Sequence, residues 1–158
     1  MKLAKPLTTL AVAALTFIPA GAENPRLSCT TRGMDIDVMF YSPTIVRVVK
    51  RPQGTPIPTG SLAVVKSPDN TEVTLSTDSS CKTASSQKLS VTVDTSTGSV
   101  NFSTPEGKRL LLDYATSFTP ENHSGVNYYR IRDAFMLDSD EPIYGIGQVM
   151  DGKFNRRH

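Results

Sequence analysis

Residues 88–114 read KLSVTVDTSTGSVNFSTPEGKRLLLDY. Leu89, Val91 and Val93 alternate with polar residues, the pattern of a strand with one buried face. Asp94 to Gly98 turns the chain, and Val100 and Phe102 bring it back. Pro105-Glu106-Gly107 turns it again, with glycine where a positive φ is usually wanted. Leu110 to Leu112 leads out. Alternating runs separated by a turn about every ten residues have the spacing of a β-sandwich or barrel.

The rest of the chain extends this pattern. In MDIDVMF, Met34 to Phe40, the residues Met34, Ile36, Val38 and Phe40 share one face and Asp35 and Asp37 the other, so one side of the strand should be wet. TIVRVVK, Thr44 to Lys50, is rich in β-branched residues and follows a Ser42-Pro43 turn. RPQGTPIPTG, Arg51 to Gly60, is too rich in proline and glycine to be helical. LAVVKS and EVTLST, around Pro68-Asp69-Asn70, read as two short strands. Residues 76–87 are dominated by serine and threonine and read as a loop. VNYYRIRDAFML and PIYGIG add two later strands. No segment past the leader carries a convincing helical period, so the fold class is all-β.

The first 22 residues have the plan of a cleavable secretory leader. Lys2 and Lys5 precede an apolar run from Leu7 to Ile18. Ala20-Gly21-Ala22 then presents small residues before Glu23. The run is too short to span a bilayer. Cleavage takes the formal charge from +2 to zero, with 15 acidic side chains matched by the remaining 15 of 17 basic ones. The basic residues are scattered, which excludes a phosphate-binding stripe and with it a nucleic-acid partner. No later segment is apolar enough for a membrane. The expected location is periplasmic or secreted.

Export makes a disulfide available to the two cysteines, Cys29 and Cys81. Closing a loop of about 50 residues would stabilise the chain by a few kcal/mol. Two separate thiols are the alternative, because sequence does not fix the Cα separation.

Few side chains point to chemistry. Asp138, Asp140 and Glu141 cluster, but an acidic turn before a strand is the commoner reading. His123 and His158 lie at no metal-ligand spacing. Gly145-Ile146-Gly147 is followed by no helix and so is no phosphate loop. No cofactor or metal is expected, and no catalytic residue. Asn101-Phe102-Ser103 and Asn122-His123-Ser124 match the glycosylation sequon.

The run DEPIYGIGQ, with Tyr144, Gly145, Ile146, Gly147 and Gln148, resembles the signature near the end of the N-terminal β-sandwich domain of family 31 glycoside hydrolases, the α-glucosidases and α-xylosidases. LSVTVDTSTGSVNFSTPEGKRLLLD resembles the family's strand, Asp, Thr-Gly turn, strand, Gly-Lys turn and Leu-rich strand. MDIDVMFYSPTIVRVV resembles its early strand pair. The three occur in the family's order, from about Leu27 to Arg157. Gln148 with Gly152, Asn155 and Arg156 is closer to the bacterial α-xylosidase type.

The resemblance implies an antiparallel sandwich of the galactose mutarotase-like super-sandwich kind, incomplete and cut before the (β/α)₈ barrel that carries the family's two catalytic aspartates. Residues 1–22 would be the leader and 23–158 this domain. The implied function is that of a non-catalytic part of an enzyme hydrolysing α-xylosidic or α-glucosidic bonds. Gln148, Asp151 and Asn155, in the loop after the signature, are the residues it offers to the rim of a sugar pocket. Local hydrogen bonding within the loop is the alternative. Carbohydrate is the implied partner, through the barrel. Self-association is expected from an uncovered strand at Pro142 to Ile146. A free-standing carbohydrate-binding or structural sandwich is the rival reading. It would need aromatics on one face, and adjacent Tyr128 and Tyr129 point opposite ways in a strand.

Overall fold

The computed structural model describes residues 25–57, 64–145, 155 and 157. The leader, residues 58–63 and most of the segment after Gly145 lie outside that range. All regular structure among the described residues is antiparallel β.

A three-stranded sheet is formed by β1 (Arg26–Thr31), β2 (Met34–Ser42) and β3 (Ile45–Pro52), in that order. A six-stranded sheet follows in simple sequence order: β4 (Thr74–Thr77), β5 (Cys81–Ser85), β6 (Ser90–Asp94), β7 (Val100–Ser103), β8 (Arg109–His123) and β9 (Val126–Met136). Each neighbour is reached by a short turn, which is the meander that the alternation of residues 88–114 predicts.

The two sheets share one core. The smaller contributes Leu27, Cys29, Met34, Ile36, Val38 and Phe40, and the larger Ala84, Leu89, Val91, Val93 and Val100. Ile36, Val38, Val91, Val93 and Val100 are fully excluded from solvent. Burying a side chain of this size contributes about 1.5–3 kcal/mol, so this stripe holds the sheets face to face. Gly98, in the β6–β7 turn, has φ +76° and sits against Met34, Thr31 and Ile36 of the smaller sheet. A side chain there would meet both a backbone penalty and a neighbour.

Several sequence expectations need correction. LAVVKS forms no strand over its described residues 64–67, and Val65 is almost fully exposed. Among the described residues no strand pairs with it, and an isolated strand leaves its backbone groups unsatisfied. EVTLST is a strand only from Thr74. Residues 76–87 are not simply a loop, because β5 lies inside them. Its composition misleads: Ala84 alone is buried, while on the opposite face hydroxyls pair across strands, Thr83 with Thr92 at 3.0 Å and Ser85 with Ser90 at 2.9 Å.

The strand expected at PIYGIG is irregular over its described residues, 142–145. Among the described residues the outermost strand of the larger sheet is β9, which pairs with β8. β8 is far longer than Leu110–Leu112. Past Asp113 it pairs, among the described residues, only with β9, and the side of the strand turned away from β9 tolerates Pro120. Ser124 and Gly125, at φ +52° and +81°, close the hairpin between His123 and Val126. Two consecutive positive φ values mark the type I′ turn that suits strand twist.

Candidate functional site

Of the three residues proposed for a sugar rim, Gln148 and Asp151 lie outside the described residues. Asn155 is placed, and its Oδ1 is occupied by backbone. It accepts the N–H of Ile143 at 3.1 Å and of Arg157 at 3.1 Å. The Arg157 guanidinium donates to the carbonyls of Asp138 and Glu141, at 2.5 and 2.6 Å. Asn155 and Arg157 thus tie the chain back onto the turn after β9. The acidic cluster belongs to the same turn. Arg109 pairs with Asp138 at 3.1 Å, and Glu141 Oε2 accepts the Asp138 N–H at 3.1 Å. Asn155 Oδ1 and the acidic cluster thus take part in local hydrogen bonds.

The densest chemistry lies between the sheets and was not singled out from the sequence. Lys50 Nζ meets Asp113 Oδ2 at 2.6 Å, with both side chains 7 % exposed. The same ammonium donates to Thr116 Oγ1 at 2.7 Å, and Thr116 Oγ1 donates to Asp133 Oδ1 at 2.6 Å. Burial pushes the Asp113 carboxyl up, more than the Lys50 ammonium pulls it down, and the nearby Asp133 carboxylate adds to the rise. Register explains the meeting. Lys50 lies opposite core residue Ile36 on β2, and Asp113 opposite core residue Val100 on β7. The available signal was a charge in phase with an apolar stripe: Val46, Val48, Lys50.

A second cluster covers the outer face of the smaller sheet. Asp37 accepts from Ser28 at 2.6 Å and pairs with Arg26 at 3.4 Å and Arg51 at 3.1 Å. Asp35 accepts from Thr30 at 2.7 Å and from the Gly54 N–H at 2.9 Å, and these bonds, the Thr30 one first, hold its carboxyl below the usual range. The face expected to be wet is therefore closed at Asp37, which is 2 % exposed beneath its arginine partners. A polar depression of about 390 Å³ lies here, lined by these groups with Cys29 and Lys82.

The expected pairing of Cys29 with Cys81 is not what the structure holds, since both are free thiols. Alternation gives the reason. Cys29 is buried and faces the core from β1. On β5, Lys82 lies opposite core residue Val93 and reaches the smaller sheet to donate to the Ser28 carbonyl at 2.8 Å. Cys81, one residue earlier, is opposite Asp94 and turns to the outer face. The two sulfurs stand on opposite sides of the larger sheet.

Tyr128 and Tyr129 do point opposite ways. Tyr129 meets Phe118 edge to face, with ring centroids 6.3 Å apart and planes at 87°, while Tyr128 hydrogen-bonds Glu121 on the other face. An edge-to-face pair offers no flat platform for a sugar ring. Among the described residues no group of three or more His, Cys, Asp or Glu side chains is arranged to hold a metal ion.

Residues 35–158 match the family described as the glycosyl hydrolase 31 N-terminal galactose mutarotase-like domain. A search of the curated proteins gave no match. Among solved structures, the chain is similar to the crystal structure of a family 31 α-xylosidase from Xanthomonas citri, with a TM-score of 0.74 and 24% sequence identity. The similarity covers 85% of this chain and 15% of that one. At that identity it speaks for the fold.

Proposed function

The chain belongs to the family of glycosyl hydrolase 31 N-terminal galactose mutarotase-like domains, and from that membership we propose that it serves as the non-catalytic β-domain of a secreted α-glycosidase. The parent reaction is hydrolysis of α-xylosidic or α-glucosidic bonds. The observation that carries this reading is the match across residues 35–158, which takes in both sheets from β2 onward. The fold likeness to an α-xylosidase supports it, and the leader-like residues 1–22 support export.

In this reading the domain is a wall rather than an engine. Retaining glycosidases need two carboxyl groups about 5 Å apart across the sugar. Asp113 is closed in between the sheets under Lys50. Asp35 and Asp37 are held by arginines and hydroxyls. Asp138 and Glu141 are spent on a turn. Gln148, Asp151 and Asn155 are the residues proposed to reach a sugar at the rim. The test is turnover of aryl α-xylosides and aryl α-glucosides by the purified chain alone. Background rates are expected. Measurable hydrolysis that disappears in Asp138→Asn would overturn the non-catalytic assignment.

A further inference from the structure

Three cations line the polar depression of about 390 Å³ beside Asp37: Arg26, Arg51 and Lys82. Its volume falls in the range of small-molecule pockets, about 300–1,000 Å³. Arg26 comes from β1, Arg51 from β3 and Lys82 from β5 of the other sheet. All three converge on one place. Arg26 and Arg51 pair with Asp37 at 3.4 and 3.1 Å. Lys82 donates to the Ser28 carbonyl at 2.8 Å, and the Ser28 hydroxyl donates to Asp37 at 2.6 Å.

The depression holds more donors than its acceptors use. Guanidinium and ammonium groups only donate, and each carries several N–H bonds. Against three cations stand two carboxylates, Asp35 and Asp37. Much of their capacity goes to neutral donors: Ser28 for Asp37, and Thr30 and the Gly54 N–H for Asp35. Arg51 reaches Asp35 only at 3.5 Å. Arg26, half-exposed, meets Asp37 through Nε, which leaves the rest of its guanidinium to spare. Lys82 forms no ion pair among the described residues, and Arg51 Nε is buried without an acceptor. A buried donor with no acceptor is costly. The surplus fits an oxyanion. Asp35 sets a second requirement. Its side chain is 18 % exposed and lines the same depression. A carboxylate there repels a compact dianion and accepts from a hydroxyl.

We propose that this depression binds a small carboxylated sugar, whose carboxylate takes the surplus N–H groups of Arg26 and Lys82 and whose hydroxyl donates to Asp35. Such a ligand brings one negative charge to a lining with one positive charge in excess. It also supplies the hydroxyl that Asp35 accepts. The charged class goes beyond the neutral α-xylosides and α-glucosides of the proposed reaction.

The test titrates glucuronate, xylose and inorganic phosphate separately into the full chain and follows the backbone amide NMR signals. Glucuronate is expected to move the signals of residues 26–30 and 35–37 to saturation and to leave β9 unchanged. Xylose lacks the charge and phosphate meets the Asp35 carboxylate, so each should bind weaker by about tenfold or more. Arg26→Gln and Lys82→Gln should each weaken glucuronate by about tenfold, the loss of one charge-assisted bond. Lys82→Arg should keep most of the affinity. Asp35→Asn should strengthen phosphate, because the repulsion is gone. No saturable response to glucuronate would overturn the proposal, and so would xylose binding as tightly. Phosphate matching glucuronate in the unaltered chain would overturn it in favour of a non-specific cationic patch. These three comparisons need no variant, so they stand even where a substitution prevents folding. Unchanged glucuronate affinity in both glutamine variants would also overturn it. None of these readouts involves glycosidase activity, so failure here is distinct from failure of the functional reading.

Discussion

Lys50 of β3 and Asp113 of β8 meet at 2.6 Å between the two sheets, each side chain 7 % exposed. One member comes from each sheet, so the pair joins the layers at the end of the apolar stripe. Asp113 also sits beside a bulge. Its partner on β9 is Phe135, but Ala115 pairs with Ala134, leaving Tyr114 outside the register. That extra residue keeps Asp113 and Thr116 on the same side of β8, where Lys50 binds both.

Breaking this pair from one side should be costly. Lys50→Met leaves the Asp113 carboxylate buried without its cation, and Asp113→Leu strands the ammonium. Each is expected to cost about 3–5 kcal/mol, because a lone buried charge loses its hydration and gains nothing. The double change Lys50→Met with Asp113→Leu should recover most of the loss. Denaturant unfolding of the four proteins gives the coupling directly. Additive single losses would show that the two side chains do not share a desolvated site.

Acid should unfold the domain partly through Asp94. Its carboxyl accepts from the Ser96 hydroxyl and from the N–H groups of Thr97 and Ser96, and is lowered from 3.8 to about 2. A folded-state pKa below the unfolded value gives stability that is present above about pH 4 and lost as pH falls toward about 2. Asp35, Asp78 and Glu106 shift in the same direction. Asp113 is raised and runs the other way, favouring the fold when protonated. Urea midpoints measured from about pH 5 to about pH 2 should fall, and fall less in Asp94→Asn. An identical pH profile in that variant would mean that the turn contributes no linkage.

Glycine is required at Gly98 for two reasons and at Gly107 for one. Both have positive φ, +76° and +90°, but only at Gly98 would a Cβ strike neighbours, with Thr31 Cγ2 at 3.1 Å and the Met34 methyl closer still. Each alanine substitution should cost about 1–2 kcal/mol in backbone strain. Gly98→Ala should cost more, because Met34 must shift within the core. Equal losses on chemical denaturation would remove the steric part of the argument.

Thiol labelling should find two reactive groups per chain once the protein is unfolded without reductant. In the folded protein Cys81 should react first, because it is partly exposed. Cys29 is buried, and burial pushes its thiol up, so less thiolate is available. Absence of reactive thiols in the unfolded, unreduced protein would mean that the sulfurs do reach one another.

The strands legible in the sequence were those with one wet face and one dry face. β2, β3, β6 and β7 alternate in register with the core, so Ile36, Val38, Val91 and Val93 announce themselves. β5 was hidden because Thr83 and Ser85 satisfy their hydroxyls across the sheet, a pairing that composition alone presents as loop. The far half of β8 was hidden because Pro120 reads as a break, which is harmless where β8 has, among the described residues, no second neighbour. PIYGIG alternates like a strand, but its described residues, 142–145, join neither sheet. The buried ion pair was hidden for a different reason: Lys50 and Asp113 are 63 positions apart in the chain, and only the packing of the two sheets makes them neighbours. The rim residues lie beyond Gly145, and of the three Asn155 alone is placed.

The proposed role, a non-catalytic domain of an α-glycosidase, can be tested in the source cells. The most direct measurement is immunoprecipitation from the source cells with an antibody raised against the chain, followed by assay of the washed precipitate on aryl α-xylosides and aryl α-glucosides beside the purified chain. The expected result is hydrolysis by the precipitate and none by the isolated chain. A precipitate that contains the chain but hydrolyses neither substrate would contradict the account, and so would full activity in the isolated chain.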